Sequence, residues 1–355
     1  MTGVPPDRPT PPPSPSTGDG ATAPDRASRP GRRTLAASAL VGAAIGLTCA
    51  GFVAQRMWSQ WAEVRDAVAG ASLGWIVAAV VLAGAAMTWT AACWQRAMRL
   101  LGAEPSRRRT IAWYYAGEIG KYVPGGVWPV LGRGELARRG GVSRRRAYPS
   151  VGLSLAGLYL AGLVVATALV PLDLAEQSAS PGALALLALL PVGLAALHPS
   201  VLRLARRLLV RLTGRGADVV VPPWRATLGL VAAYVPAWLL VWGATWCTAR
   251  ALVPDPPLLR IGIAATLSWV AGFVAVPVPA GAGVREAVFV ASSGLPAGIG
   301  ATVAVGSRLA FLLVDVGGAA LTAPWHRRPR ADRTPGQEPG GADTTGAGRP
   351  VDSPG

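Results

Sequence analysis

Long apolar stretches, separated by short clusters of arginine, constrain the fold of this 355-residue chain more than any other feature. A helix needs roughly 20 consecutive apolar residues to cross the hydrocarbon core of a bilayer. The segments that approach or exceed this length are 35–54, 73–95, 148–171, 182–197, 226–248, 260–278 and 287–325. The sequence therefore predicts an all-α membrane protein, a polytopic bundle of about seven or eight transmembrane helices. Within 287–325 we expect one full helix from about residue 304, after a short or broken crossing around "SSGLPAGIG".

The placement of charge supports this fold class. The chain carries 34 Lys plus Arg against 18 Asp plus Glu, a formal net charge of +16, which in a soluble protein would suggest a nucleic-acid partner. The arginines instead form runs between apolar stretches, at 107–109, at 144–146 and along a predicted loop over 198–225. This pattern is typical of cytoplasmic loops. We therefore expect no nucleic acid as a partner, and a multi-pass protein of the cell membrane with both termini in the cytoplasm. The alanine-rich and arginine-rich composition is typical of a bacterium with a GC-rich genome.

The two ends of the chain differ from its middle. Residues 1–33 and 327–355 are rich in Pro, Gly, Ser, Thr and Asp, which predicts disordered cytoplasmic tails around a transmembrane domain over 34–326. The three cysteines lie in apolar stretches without pair spacing, and His198 and His326 are isolated. The sequence therefore predicts no metal site, no cofactor and no histidine-based catalytic triad.

A charged and broken segment, "YYAGEIGKYVPGGVWPVLGRGELARRGG" over 114–141, holds the only lysine of the chain. Arginine clusters flank it on both sides, so both of its ends are expected on the same side of the membrane. The break at Pro124, Gly125 and Gly126 predicts a segment that enters the membrane and returns. Irregular backbone at membrane depth is tolerated only where protein or a water-filled cavity surrounds it, so we expect a polar cavity at the break.

This segment also holds the first group of candidate site residues. Glu118 and Lys121 share one face of a helix and can neutralise each other, and Arg133 and Glu135 follow the break. Trp128 lies inside the segment, away from the usual interfacial positions. Free backbone N–H groups beside the glycines favour an anion. The alternative is that these charges lie at headgroup level, with Lys121 extended toward the membrane surface.

A second interrupted stretch, "VAVPVPAGAGVREAVF" over 274–289, repeats the order of proline, glycines and charge. It places Arg285 and Glu286 at the start of an apolar helix. Two interrupted segments in corresponding halves are typical of transporter sites built from broken helices, whereas a plain turn between two spans is the alternative. In the last span, Arg308 and Asp315 lie two helical turns apart on one face. We expect them to pair inside the bundle, with a substrate or proton role as the alternative.

Two quoted regions, "GKYVPGGVWPVLGRGELARRGGVSRRRAYPS" and "VPVPAGAGVREAVF", resemble the signature regions of the lysylphosphatidylglycerol synthase transmembrane-region family, which are flippase-like integral membrane proteins. The resemblance covers about residues 35–325. It implies about eight helices, two re-entrant segments around a lipid-accessible cavity, and movement of a lipid between leaflets. The positions that match the two motifs are Lys121, Pro124, Gly125, Gly126, Arg133 and Arg138 in the first, and Pro279, Gly281, Gly283, Arg285 and Glu286 in the second.

The chain departs from the family pattern in two places. In many relatives an acidic residue lies in the helix after the first motif, whereas "SVGLSLAGLYLAGL" has none. The soluble aminoacyl-transfer domain of the full-length synthases is also absent from this sequence, so lysyl transfer to phosphatidylglycerol is not expected.

The sequence and the resemblance together predict non-enzymatic translocation of an anionic lipid or lipid-linked glycan. Lys121, Arg133 and Arg285 would hold the phosphate. The carboxylates that would balance these charges in the empty site are Glu118, Glu135 and Glu286. Two alternatives stay open. One is a membrane-embedded transferase that acts on polyprenyl-phosphate sugars, and the other is a non-transporting partner of cell-envelope enzymes.

Overall fold

The computed structural model describes most of the predicted transmembrane domain. The described residues are 54–122, 127–176, 198–213, 220–275 and 281–326, with isolated positions at 48, 51, 52, 191 and 195. The two predicted tails, nearly all of the predicted span 35–54 and nearly all of 182–197 lie outside them.

Ten complete helices form the described part of the chain. They are α1 Trp61–Ala69, α2 Leu73–Leu100, α3 Arg107–Glu118, α4 Trp128–Arg139, α5 Arg144–Glu176, α6 Pro199–Thr213, α7 Trp224–Leu252, α8 Leu258–Val274, α9 Val284–Ser292 and α10 Ala297–Thr322. Short 3-10 segments extend α3 over Ile119–Tyr122 and α10 over Ala323–His326.

Four helices among the described residues are long and apolar enough to span a membrane. They are α2, α5 to Leu169, α7, and α10 with its 3-10 extension. The prediction of an all-α membrane protein is therefore confirmed. A main core of buried side chains joins α2, α5 and α7, with Trp94, Tyr234 and Trp238 almost without exposure.

The first interrupted stretch folds as a hairpin of α3 and α4, here named the first hairpin. Its two helices have 12 residues each, too short to cross a bilayer alone at about 1.5 Å per residue. At its base, Arg109 Nη2 donates a hydrogen bond to the carbonyl of Gly140 at 2.8 Å. Nearer the tip, the helices approach closely, because a Cβ built on Gly117 would lie 2.4 Å from Cγ of Arg133. The chain therefore leaves at the end where it entered, as predicted for a re-entrant segment.

The second interrupted stretch folds in the same way from α8 and α9, here named the second hairpin. The predicted span 260–278 is corrected here, because α8 has only 17 residues and α9 runs back beside it. A Cβ built on Gly281 would lie 2.5 Å from the Cα of Gly272. Gly281 also has a φ of 64°, a left-handed conformation that favours glycine. Glycine at this position therefore allows the tip to close.

The two hairpins enter the bundle from opposite ends. The base of the first lies where α2 ends and α5 begins, since Arg146 Nη1 bonds the carbonyl of Gly102 at 2.6 Å. The base of the second lies where α2 begins and α7 ends, since the amide of Ser72 bonds the carbonyl of Ala251 at 3.0 Å. We name these the arginine-rich end and the opposite end. The hairpin tips therefore meet inside the bundle.

Two predicted boundaries were wrong. The last helix begins at Ala297 after Pro296, not near residue 304. Glycines 298 and 300 allow close packing at its start. Gly298 lies against Gln60, and the Gln60 side chain accepts a hydrogen bond from the Gly298 amide. The arginine-bearing segment 198–225 was predicted as a loop, but it contains α6. There, apolar and arginine residues separate onto opposite faces, a pattern that favours a helix.

Candidate functional site

A cavity of about 160 Å³ lies where the two hairpin tips meet. One water needs only about 10 to 15 Å³ in this measure, so the cavity has room for a polar group and its hydration. Its walls come from both hairpins and from α2, α5 and α7. Five of the predicted site residues line it: Glu118, Lys121, Arg133, Gly281 and Arg285.

Glu118 links the two cations that the first hairpin brings to the cavity. Its Oε2 lies 3.2 Å from Lys121 Nζ, and its Oε1 lies 3.5 Å from Arg133 Nη2. The three-residue spacing that predicts a Glu118–Lys121 contact is thereby confirmed. The 3-10 geometry of residues 119–122 keeps both side chains on one side of the hairpin, so the carboxylate neutralises part of the positive charge.

Asp315 of α10 supplies a second carboxylate to the same lysine. Its Oδ2 lies 2.6 Å from Lys121 Nζ and accepts a hydrogen bond from the Tyr122 hydroxyl at 2.8 Å. The residue has no solvent exposure. Its other oxygen, Oδ1, is buried without a hydrogen-bond partner among the described residues. Asp315 therefore attaches the first hairpin to the last long helix.

Arg133 is the more deeply fixed of the two arginines in the cavity. Its exposed fraction is 3%, and its guanidinium carbon lies 5.2 Å from the ring centre of Tyr114 and 5.9 Å from that of Trp94. Its Nε also donates to the carbonyl of Pro129 at 3.3 Å. Aromatic faces and a carboxylate thus replace water around this charge.

Arg285 of the second hairpin has a different environment. Its guanidinium carbon lies 4.1 Å above the ring of Trp269. Among the described residues, no carboxylate lies within ion-pair distance of it. The cation crosses α8 where Gly272 has no side chain, since a Cβ there would lie 2.3 Å from its Cγ. With both carboxylates ionised, Lys121, Arg133 and Arg285 face Glu118 and Asp315, which leaves one positive charge without a partner.

Glu286 does not form an ion pair with Arg285, its neighbour in sequence. Its Oε2 accepts a hydrogen bond from the amide of Gly283 at 2.6 Å, and its Oε1 bonds Arg308 Nη1 at 2.5 Å. The predicted pair of Arg308 with Asp315 is therefore corrected, because each of these residues binds a partner on another helix. Seven residues of helix separate them by about 10 Å along the axis, which is too far for a contact.

The remaining predicted site residues lie elsewhere. Trp128 is about half exposed and is not part of the cavity wall. Glu135 bonds Arg138 Nη2 at 2.7 Å and Arg139 Nε at 3.0 Å, on the exposed surface near the arginine-rich end. Pro124, Gly125, Gly126 and Pro279 lie outside the described residues.

Sequence reasoning missed the aromatic side chains that line the cavity beside these charges. Trp269 supports Arg285, and Tyr159 stacks on Phe273 with ring centres 3.9 Å apart. Trp269 has a detectable signal in the sequence, because it lies in the middle of an apolar stretch and not at an interfacial end, where tryptophan is usual. Within the described ranges, no group of three metal-ligating side chains comes together.

The chain was compared with known proteins. The family model described as "Lysylphosphatidylglycerol synthase TM region" matches residues 36–319, a range that includes both hairpins and the cavity. A search of curated proteins gave no match to this chain.

Proposed function

The chain belongs to the family of lysylphosphatidylglycerol synthase TM regions, and from this premise we propose that it moves an anionic, phosphate-bearing lipid between leaflets without a chemical reaction. The headgroup phosphate binds in the cavity between the hairpin tips, while the acyl chains stay in the bilayer. The arginine-rich end faces the cytoplasm, since arginine-bearing loops favour that side. Lipid-linked glycans with a phosphate group belong to the same substrate class.

The observation that carries the proposal is the uncompensated charge of Arg285. A cation inside a membrane protein is costly unless an anion accompanies it, and no carboxylate of the described residues lies within ion-pair distance of this side chain. A phosphate with one negative charge would neutralise the single positive charge that remains when Glu118 and Asp315 are counted against the three cations of the cavity. Arginine is well suited to phosphate because its N–H groups match two oxygens at once.

The arrangement of the hairpins supports movement as well as binding. Their tips meet at one cavity, and their bases lie at opposite ends of the bundle. Broken helices around a shared site are the usual architecture of transporters. A membrane-embedded transferase would need positioned acid, base or metal groups in addition to anion binding.

The test compares two arginine substitutions. Arg285→Gln removes the unpaired cation, and Arg138→Gln removes an arginine outside the cavity wall. Each purified protein is reconstituted into phosphatidylcholine vesicles with acyl-labelled phosphatidylglycerol, and transfer is followed by chemical quenching of the outer leaflet. We expect Arg285→Gln to slow transfer at least tenfold and Arg138→Gln to leave it within twofold.

Equal effects of the two substitutions would remove the support that the cavity gives to this function. Binding of the labelled lipid without any transfer by the wild-type protein would favour a non-transporting partner or a transferase. Labelled phosphatidylcholine in the same vesicles reports whether a negative headgroup is required.

A further inference from the structure

A second, smaller chamber of about 20 Å³ adjoins the cavity. Arg285 and Trp269 line both spaces and therefore form the partition between them. The far side of this partition carries the hydroxyl-bearing residues Thr245, Ser268 and Ser307 beside apolar side chains. A volume of this size holds one water or the leading oxygens of a larger anion.

The chamber lies farther from the arginine-rich end than the cavity does. On α7, Val241 lines the cavity and Thr245 lines the chamber, one helical turn closer to the opposite end. On α10, Arg308 lies about 10 Å closer to that end than Asp315 does, by the rise of a helix over seven residues. A group that moved from Lys121 to Arg308 would thus advance along the membrane normal.

A carboxylate already occupies the chamber. Glu286, with an exposed fraction of 5%, accepts one bond from Arg308 and one from the backbone amide of Gly283. A guanidinium and a backbone N–H at the start of a helix are also donors that phosphate oxygens use. The chamber is therefore already fitted to hold negative oxygen atoms.

We infer that this chamber is a second binding site for the phosphate of the transported lipid, reached from the cavity past Arg285 and Trp269. Arg308 is its cation, and Glu286 is the internal anion that the phosphate replaces. This inference rests on the proposed function and adds a second position to the path of the headgroup. Arg285 makes no ion pair that would have to break, so its side chain can move with the anion from the cavity to the chamber. Arg133, in contrast, is enclosed by aromatic rings.

The test separates a binding site from a structural ion pair by comparing Arg308→Gln, Glu286→Gln and the double substitution. A structural pair predicts that each single change is harmful and that the double change restores function, because an unpaired buried charge is what destabilises. A phosphate site predicts that Arg308→Gln is much more harmful than Glu286→Gln. Glu286→Gln keeps the Arg308 cation, and the new amide oxygen still accepts a hydrogen bond from the Gly283 amide.

In phosphatidylcholine vesicles with acyl-labelled phosphatidylglycerol, we expect Arg308→Gln to slow transfer at least tenfold. Glu286→Gln should retain at least a third of the wild-type rate, and the double variant should stay as slow as Arg308→Gln. Binding of the same lipid to detergent-purified protein should stay within twofold in all three, since the first site is intact. If Arg308→Gln does not fold, the double variant, which removes both charges of the Arg308–Glu286 pair, is compared with the wild type instead.

Two results overturn the second site. One is a double variant that transfers lipid at the wild-type rate, and the other is a Glu286→Gln protein as slow as Arg308→Gln. A wild-type protein that transfers no lipid overturns the proposed function itself, and the second site with it. If the wild type transfers lipid and the double variant does so at the same rate, only the second site is overturned.

Discussion

The two hairpins use the same construction with different charge balance. In each, a glycine of the first helix, Gly117 or Gly272, lies against an arginine of the second helix, Arg133 or Arg285. Arg133 is buried and contacts a carboxylate, whereas Arg285 lies on the face of Trp269 and has no carboxylate within ion-pair distance among the described residues. The shared glycines explain how each arginine reaches the cavity, and the difference in partners separates an arginine held by an ion pair from one without an ion pair.

The largest effect is expected at the tip of the second hairpin. Gly281→Ala adds a Cβ that would lie 2.5 Å from the backbone of Gly272, at a residue with a φ of 64°. A left-handed backbone costs about 1 to 2 kcal/mol and overpacking about 1 to 3 kcal/mol, so we expect a loss of roughly 2 to 5 kcal/mol in unfolding free energy. Thermal melting in detergent measures it. Gly152→Ala is the control, since nothing lies within 4 Å of that Cβ.

The next effect contrasts the two arginines directly. Arg133→Gln leaves Glu118 buried with only part of its compensating charge, and we expect a loss of about 2 to 3 kcal/mol in stability. Arg285→Gln removes the contact with Trp269 but also the cost of burying a cation that has no ion pair, so its stability loss should be less than about 1 kcal/mol. Melting of both variants under one set of conditions decides the matter. Similar losses would mean that the two arginines are held equally firmly.

A smaller effect is expected from the carboxylate of α10. Asp315→Asn keeps the shape of the side chain and removes one negative charge beside Lys121, so the cavity becomes more positive. At an effective dielectric constant near 20, a charge about 8 Å from the bound phosphate changes its binding by about 2 kcal/mol, on the order of thirtyfold in affinity. Titration with short-chain phosphatidylglycerol at low salt measures the change. Weaker binding would show that Asp315 helps to build the anion site and does not compete with it.

The smallest effect is expected outside the cavity. Glu135→Gln disrupts an exposed cluster with Arg138 and Arg139, and exposed ion pairs contribute little to stability. Melting and lipid transfer should match the wild type within error. A loss of transfer in this variant would extend the functional surface of the first hairpin from its tip to its base.

The sequence predicted the first hairpin from local signals, whereas for the second stretch only the family resemblance implied a re-entrant segment. Proline and glycine mark where a chain can break, and both stretches carry them, whereas the arginine clusters that indicate on which side the chain returns flank only the first. The meeting of Lys121, Arg133 and Arg285 at one cavity followed from this pattern. The tip residues 123–126 and 276–280, where the breaks themselves occur, lie outside the described ranges.

The partners of the charges could not be predicted, because they depend on which faces of the helices meet. Arg285 and Glu286 are adjacent in sequence and therefore point about 100° apart on a helix, so Glu286 contacts α10 while Arg285 faces the cavity. Arg308 and Asp315 share a face of one helix, but the same geometry sets them too far apart to pair. Helical periodicity showed which charged residues share a helix face, but it could not show which residues on other helices they contact.

The Lys121–Asp315 contact has a consequence for the order in which the protein is assembled during synthesis. Tyr122 and Asp315 are separated by 193 residues, so the first hairpin is made long before α10 emerges from the ribosome. Until then, Glu118 is the one carboxylate of the first hairpin that contacts Lys121. The two helices of this hairpin, which are too short to span the bilayer, pack beside α2 without α10. Translation of the last long helix is therefore the step that completes the site.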